Sequence, residues 1–264
     1  MPSGALPLKP DHRDFSFPRT FGAVSPLKFP KEYNCDAGFG FPNQVKEGYP
    51  NGCTGYTQSE ICQDEDKKKY DPAFTYKKTL FMMDYPDGYP CDIRTSLKST
   101  LVYGLSDGDE LTAVTNRRGK YFNVVDSPEL DAFDDIRNAL WLNHEKGRSV
   151  SIGTPWMAEW NFVGKSGKIP SKFRFTGRES WHNWKISGWK EIDGEPYLMG
   201  KTWQGNVGDK GWLYFPREVI NNVMEISGTG AFTVAKATSA DVETIKLPLL
   251  EHLISLYYRL KSLL

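Results

Sequence analysis

The chain has 264 residues, 39% hydrophobic and 25% charged, which is ordinary soluble composition with ample apolar material for one large domain or two small ones. Its 33 basic and 33 acidic residues balance, so no bulk field draws it to nucleic acid or to an anionic membrane. The four cysteines, Cys35, Cys53, Cys62 and Cys91, have no metal-ligand spacing and are too few for an all-paired disulfide scaffold, so no metal and no cofactor are expected; a single Cys35 pair with Cys62 or Cys91 stays open.

In chain order, residues 1–30 are rich in proline and read as an extended arm, with Pro10-Asp11-His12-Arg13-Asp14-Phe15 a polar knot inside it. The first residues lack the basic start and apolar run of a secretory signal, so none is expected. Asn51-Gly52 is a small-residue turn, and the run from Cys53 to Cys62 is compatible with a helix. Asp71 followed by Pro72 marks a capped helix over 71–80. Ile93, Leu97 and Leu101, at i, i+4 and i+8, mark another over 92–101.

The second half changes character. A last helix is expected from Asp131 to Glu145, ended by Gly147. Strand signals follow at 149–154, 184–189, 197–203 and 211–216, with a turn at Asp193-Gly194. Helices first and strands second argue for an α+β protein. A small-residue connector occupies 227–240. Residues 241–264 are expected to form an amphipathic C-terminal helix, with Val242, Ile245, Leu249, Leu253, Leu256, Leu260 and Leu263 in one stripe. Its apolar face has to be covered by the domain, by another copy or by a membrane surface, and self-association is the first choice.

The chemistry centres on Cys53. A thiol in the first turn of a helix feels the positive end of the helix dipole, which favours the thiolate, and unpaired N–H groups there can meet an oxyanion. Such a nucleophile needs a base. Of His12, His144, His182 and His252, only His182 stands where a strand begins, between Trp181 and Asn183. A packed histidine in an aromatic cluster is the plain alternative.

The order of these blocks resembles the papain-like cysteine peptidases over roughly residues 10–225. Asn43-Gln44 with Gly52-Cys53 resembles the family's N-Q…G-x-C segment, Phe74-Thr75-Tyr76 its small-lobe F-x-Y helix, and His182 to Trp189 its H-A-x-x-x-x-G-Y strand. Lys201-Thr202-Trp203-Gln204-Gly205 resembles N-S-W-G. The resemblance implies a two-lobe fold, a helical N-terminal lobe against a β-sheet C-terminal lobe, over residues 1–226. It implies Cys53 as nucleophile, His182 as base and Gln44 with the Cys53 N–H as oxyanion donors, acting on a peptide or protein substrate.

Three departures stand out. Gln44 and Cys53 are nine positions apart where the family has about six, so Glu47-Gly48-Tyr49-Pro50 has to loop out. Thr54 replaces a tryptophan. In this alignment Lys201 occupies the position of the asparagine that orients the histidine, and a lysine ammonium has no acceptor to offer. Asn183, a backbone carbonyl or water can take that task, or Lys201 points away. No inhibitory segment of the family's usual size precedes the arm, and no zymogen control is expected.

Two further readings compete with the cysteine endopeptidase. One is a papain-fold binding or structural module with reduced catalysis, held in a virion or cell-surface assembly through its C-terminal helix. That reading also accommodates export by a non-classical route. The other is amidase or transpeptidase chemistry on cell-wall peptides.

Overall fold

Three helices begin at aspartates that close the first turn. Asp71 accepts from the Ala73 N–H ahead of Pro72–Met83 (α2), Asp92 from Arg94 and Thr95 ahead of Ile93–Tyr103 (α3), and Asp131 from Asp134 ahead of Ala132–Leu142 (α4). Each cap satisfies N–H groups that have no partner inside the helix. The helix Cys53–Asp66 (α1) differs: Gly52 ahead of it supplies no side-chain cap. A fifth helix, Arg217–Ser227 (α5), follows the last strand of the meander. The computed structural model describes residues 4–7, 29–107, 111–112, 117–123, 131–205, 207–227 and 230–236.

The strands are Glu32–Asn34 (β1), Leu105–Ser106 (β2), Leu111–Thr112 (β3), Arg117–Asn123 (β4), Val150–Pro155 (β5), Trp181–Ile192 (β6), Glu195–Lys201 (β7), Trp212–Pro216 (β8) and Gly230–Lys236 (β9). The main sheet is antiparallel in the order β4-β9-β5-β6-β7-β8, and β1 adds to β6 beyond the reach of β5. Asp193-Gly194 makes the β6–β7 turn, both residues at positive φ.

The main core gathers Phe133, Ile136 and Leu140 of α4 and Val219, Ile220 and Val223 of α5 with Trp184, Trp189, Leu198 and Phe215 of the sheet. Each such buried side chain is worth roughly 1.5–3 kcal/mol of transfer free energy. A second cluster, Ile61, Cys62, Tyr70, Ile93, Leu97 and Leu105, ties α1 to α3. Helix α1 also packs on α2 and on β6, and every residue from Cys53 to Asp64 is buried. Gly55 permits that approach, since a Cβ there would lie 2.6 Å from the Tyr76 backbone nitrogen.

The helices and strands expected between residues 53 and 216 are present, with ends shifted by a few residues. Residues 230–236, expected to lie in a connector, instead form β9 and pair with both β4 and β5. The expected 131–145 helix stops at Leu142 and continues as a short 3-10 turn over His144–Lys146. Among the described residues no disulfide forms, so the Cys35 pairings do not occur. No helix among the described residues is long and apolar enough to cross a membrane. The 10–15 polar knot and the 241–264 helix lie outside the described residues.

Candidate functional site around Cys53 and His182

Cys53 is the first residue of α1 and is fully buried. Burial pushes its thiol up to about 12, while the backbone N–H groups of Asn183, Gly4, Thr54 and Cys53 itself face the sulfur and work the other way. Two of these donors come from the uncapped first turn. The Asn183 N–H comes from β6, next to His182.

His182 lies in β6 opposite Thr154 of β5 and is also fully buried. Trp184 and Trp156 stand edge-on to its ring, at 4.6 and 5.2 Å between centroids. Burial takes the imidazole down to about 3, so it is neutral at ordinary pH. Its Nδ1 has no hydrogen-bond partner, and its Nε2 lies 3.3 Å from the Thr202 hydroxyl.

The helix with the sulfur and the strand with the ring are joined one turn into α1. The Thr57 hydroxyl donates to the Asn183 carbonyl at 3.1 Å, and the Trp203 indole N–H donates to both Thr57 Oγ1 (2.9 Å) and that carbonyl (3.1 Å). Tyr56 and Trp203 complete an apolar cluster with Cys53.

Lys201 does not face His182, which corrects the alignment that set it at the orienting position. Side chains alternate across a strand. Lys201 pairs with Lys185 in the sheet register and shares its face, whereas Thr202 turns to the face of His182 and Trp184. The Lys201 ammonium donates to Glu60 at 2.9 Å and to Asp36 at 3.4 Å. Lys185 joins the same cluster through Glu60 (3.2 Å), Asp64 (2.8 Å) and Asp36. Burial opposes ionisation of Asp36, but Lys185 and then Lys201 outweigh it and hold the carboxyl below its usual range. Burial likewise opposes the charge on Lys185, and Asp64, Glu60 and Asp36 together raise its pKa.

Gln44 is fully buried and its backbone is anchored on Trp203, which places it at the same corner. The 45–49 segment does not simply loop out. It folds as a turn in which the Tyr49 N–H donates to the Gln44 carbonyl at 2.6 Å, while the Gln44 side-chain amide donates to the Pro50 carbonyl, also at 2.6 Å. One N–H of Gln44, the expected oxyanion donor, is therefore engaged by Pro50.

Two features escaped the sequence reading. One is Thr202, which a strict alternation count along β7 would have found. The other is the segment Gly4-Ala5-Leu6, which lies between the two lobes. The Ala5 N–H donates to the Trp181 carbonyl (3.3 Å), the Leu6 N–H to the Cys91 carbonyl (2.9 Å), and the Cys91 N–H to the Gly4 carbonyl (2.7 Å). Ala5 packs in the cluster with Cys53. Nothing in the composition of 1–30 assigns these three residues a partner.

No family model and no curated protein matches the sequence. Solved structures do resemble it. Xylellain, a cysteine protease from Xylella fastidiosa, superposes with a TM-score of 0.64 at 17% identity, over 90% of this chain and 96% of that one. The fold is papain-like. Digestive procathepsin L2 from Tenebrio molitor larval midgut gives 0.59 at 13% identity over 89% and 78% of the two chains. Procathepsin B S9 from Trypanosoma congolense gives 0.56 at 11% over 89% and 86%. At these identities the papain-like likeness is one of backbone architecture, so the chemistry rests on the side chains described above.

Proposed function

We propose that the chain is a cysteine peptidase that hydrolyses peptide bonds through an acyl-thioester on Cys53. The observation that carries this reading is the convergence, on a papain-like fold, of a thiol at an uncapped helix start and a histidine whose neighbour points its N–H at the same sulfur.

In the reacting state His182 Nδ1, which has no other partner, takes the proton from Cys53. The sulfur attacks the carbonyl carbon, and the carbonyl electron pair moves to oxygen. The Cys53 N–H receives that oxyanion, joined by Gln44 once its amide leaves Pro50. Collapse breaks the C–N bond, and the proton held by His182 passes to the leaving amine. Water, deprotonated by the same ring, then cleaves the thioester. The Thr202 hydroxyl, on Nε2, takes the orienting part that an asparagine has in the family.

The test compares wild type with Cys53→Ala, using an electrophilic affinity probe in long incubations and a casein digest. The expected result is probe attached at Cys53 and cleavage that disappears in the variant; equal labelling of both proteins would sink the reading. A second reading is a papain-fold module with a silent site, held in an assembly through residues 241–264. It draws on the neutral thiol and imidazole, and persistent absence of cleavage with Cys53 freely reactive would favour it.

A further inference from the structure

We propose that Glu47 and Tyr56 are positioning residues, whose hydrogen bond locks the extra residues of the 43–50 turn so that Pro50 holds the Gln44 side-chain amide back from the oxyanion. That catalytic meaning rests on the peptidase reading; the lock on the amide does not.

The lock starts at a tyrosine beside the nucleophile. Tyr56 lies one turn after Cys53 in α1, is fully buried and packs in the same cluster as the sulfur. Its hydroxyl donates to Glu47 Oε2 at 2.5 Å, and Glu47 Oε1 accepts from the Asn43 N–H at 3.3 Å. A short bond from a hydroxyl to a carboxylate is one of the strong kinds. Burial first, and then the hydrogen bond and charge of Glu47, raise the Tyr56 pKa, so the phenol stays a donor. Glu47 is exposed and belongs to the residues that lengthen the Gln44–Cys53 spacing. One bond thus fastens an exposed insertion to the helix that carries the thiol.

The turn carries that anchor to the amide. The Glu47 N–H donates to the Asn43 carbonyl at 3.0 Å, the Gly48 N–H to that of Val45 at 3.1 Å, and the Gly52 N–H to that of Tyr49 at 2.9 Å. The Pro50 carbonyl lies between the held residues Glu47 and Gly52, and it accepts the Gln44 side-chain N–H at 2.6 Å.

The state of Gln44 shows that this place is imposed on it. Its Oε1 is buried with no hydrogen-bond partner, a condition that costs free energy and that a freely turning amide would leave. Its backbone is held independently, because its N–H donates to the Trp203 carbonyl at 3.0 Å. Loosening the turn therefore frees the side chain while the Gln44 backbone stays at the corner of the site.

The test uses the full chain grown with glutamine carrying 15N in its side-chain amide, which labels only Gln44, Gln58, Gln63 and Gln204. Gln44→Ala assigns the Gln44 pair of amide protons by removing it from the spectrum. In wild type the proton on Pro50 should lie downfield of its twin and exchange slowly with solvent. Tyr56→Phe and Glu47→Ala should bring it upfield and speed its exchange. Glu47→Gln keeps an acceptor for the hydroxyl and should stay close to wild type. Turnover of fluorescent casein is measured on the same proteins. Tyr56→Phe should raise kcat by about 10-fold, a part of the roughly 10²–10³ that an oxyanion donor supplies, with KM nearly unchanged. In a Gln44→Ala background the same substitution should leave kcat where it is.

An unmoved Gln44 signal in both Tyr56→Phe and Glu47→Ala overturns the proposal. So does a signal that moves while kcat falls, or a change in kcat that persists without Gln44. A signal that moves while no protein cleaves casein supports the lock and removes the peptidase reading instead.

Discussion

The Thr202 hydroxyl lies 3.3 Å from Nε2 of His182, while its neighbour Lys201 is turned to Glu60 at 2.9 Å. Two adjacent residues thus divide two tasks, one beside the ring and one in a buried ion cluster. Thr202→Val keeps the shape and removes the hydroxyl. It should lower kcat by about 10- to 100-fold, a part of what a general base contributes, with KM nearly unchanged. Thr202→Asn should restore most of the rate. Steady-state kinetics with a pH–rate profile checks this, since a merely structural effect would move the denaturation midpoint and leave the profile in place.

Lys201→Met should act on stability. It leaves Glu60 and Asp36 with Lys185 as their remaining lysine partner. Breaking one member out of a buried ion cluster costs roughly 3–5 kcal/mol. Urea denaturation at pH 7 reads the loss, and a variant as stable as wild type would show that the cluster carries little.

Buried neutral His182 makes the fold acid-sensitive. Its folded value of about 3 lies below the ordinary 6.5, so between these pH values the unfolded chain binds the extra proton. Its contribution is therefore complete above pH 6.5 and is lost as pH falls, by about 3 kcal/mol at pH 4. Asp36, also held low, adds a loss of the same sign at lower pH. His182→Gln should flatten the slope of urea-derived stability between pH 6.5 and 4.

Asp135 has the opposite sign. It is fully buried in α4, both its carboxylate oxygens lack partners, and burial, followed by the charge of Asp131, raises it to about 7. Here the folded chain binds the extra proton between the ordinary 3.8 and about 7, so stability falls as pH rises through that window. Asp135→Asn should stabilise by roughly 1–2 kcal/mol at pH 5 and by roughly 4 kcal/mol at pH 8. Thermal midpoints at the two pH values provide the comparison.

Much of this architecture is legible in local sequence. Asp71-Pro72, Asp92 and Asp131 announce their helices because a cap is a contact between residues two or three apart. Gly52-Cys53 and His182 stand out because few histidines exist and only one opens a strand. What is not legible depends on partners distant in sequence. Strand β9 is small and flexible in composition, and only pairing with β4 and β5 fixes it. The Lys201–Thr202 assignment turns on one residue of register, and a one-residue slip exchanges the two faces of a strand. The Gly4–Leu6 seat is a meeting of residues more than eighty positions apart, for which no periodicity exists.

The bonds from Thr57 to Asn183 and from Trp203 to both have a mechanical consequence. The helix bearing the sulfur and the strand bearing the imidazole are fastened one turn from Cys53, and again farther along through Lys185 to Glu60 and Asp64. Parting of the lobes and inactivation are then a single event, and heating should show loss of the site and loss of tertiary structure along the same curve.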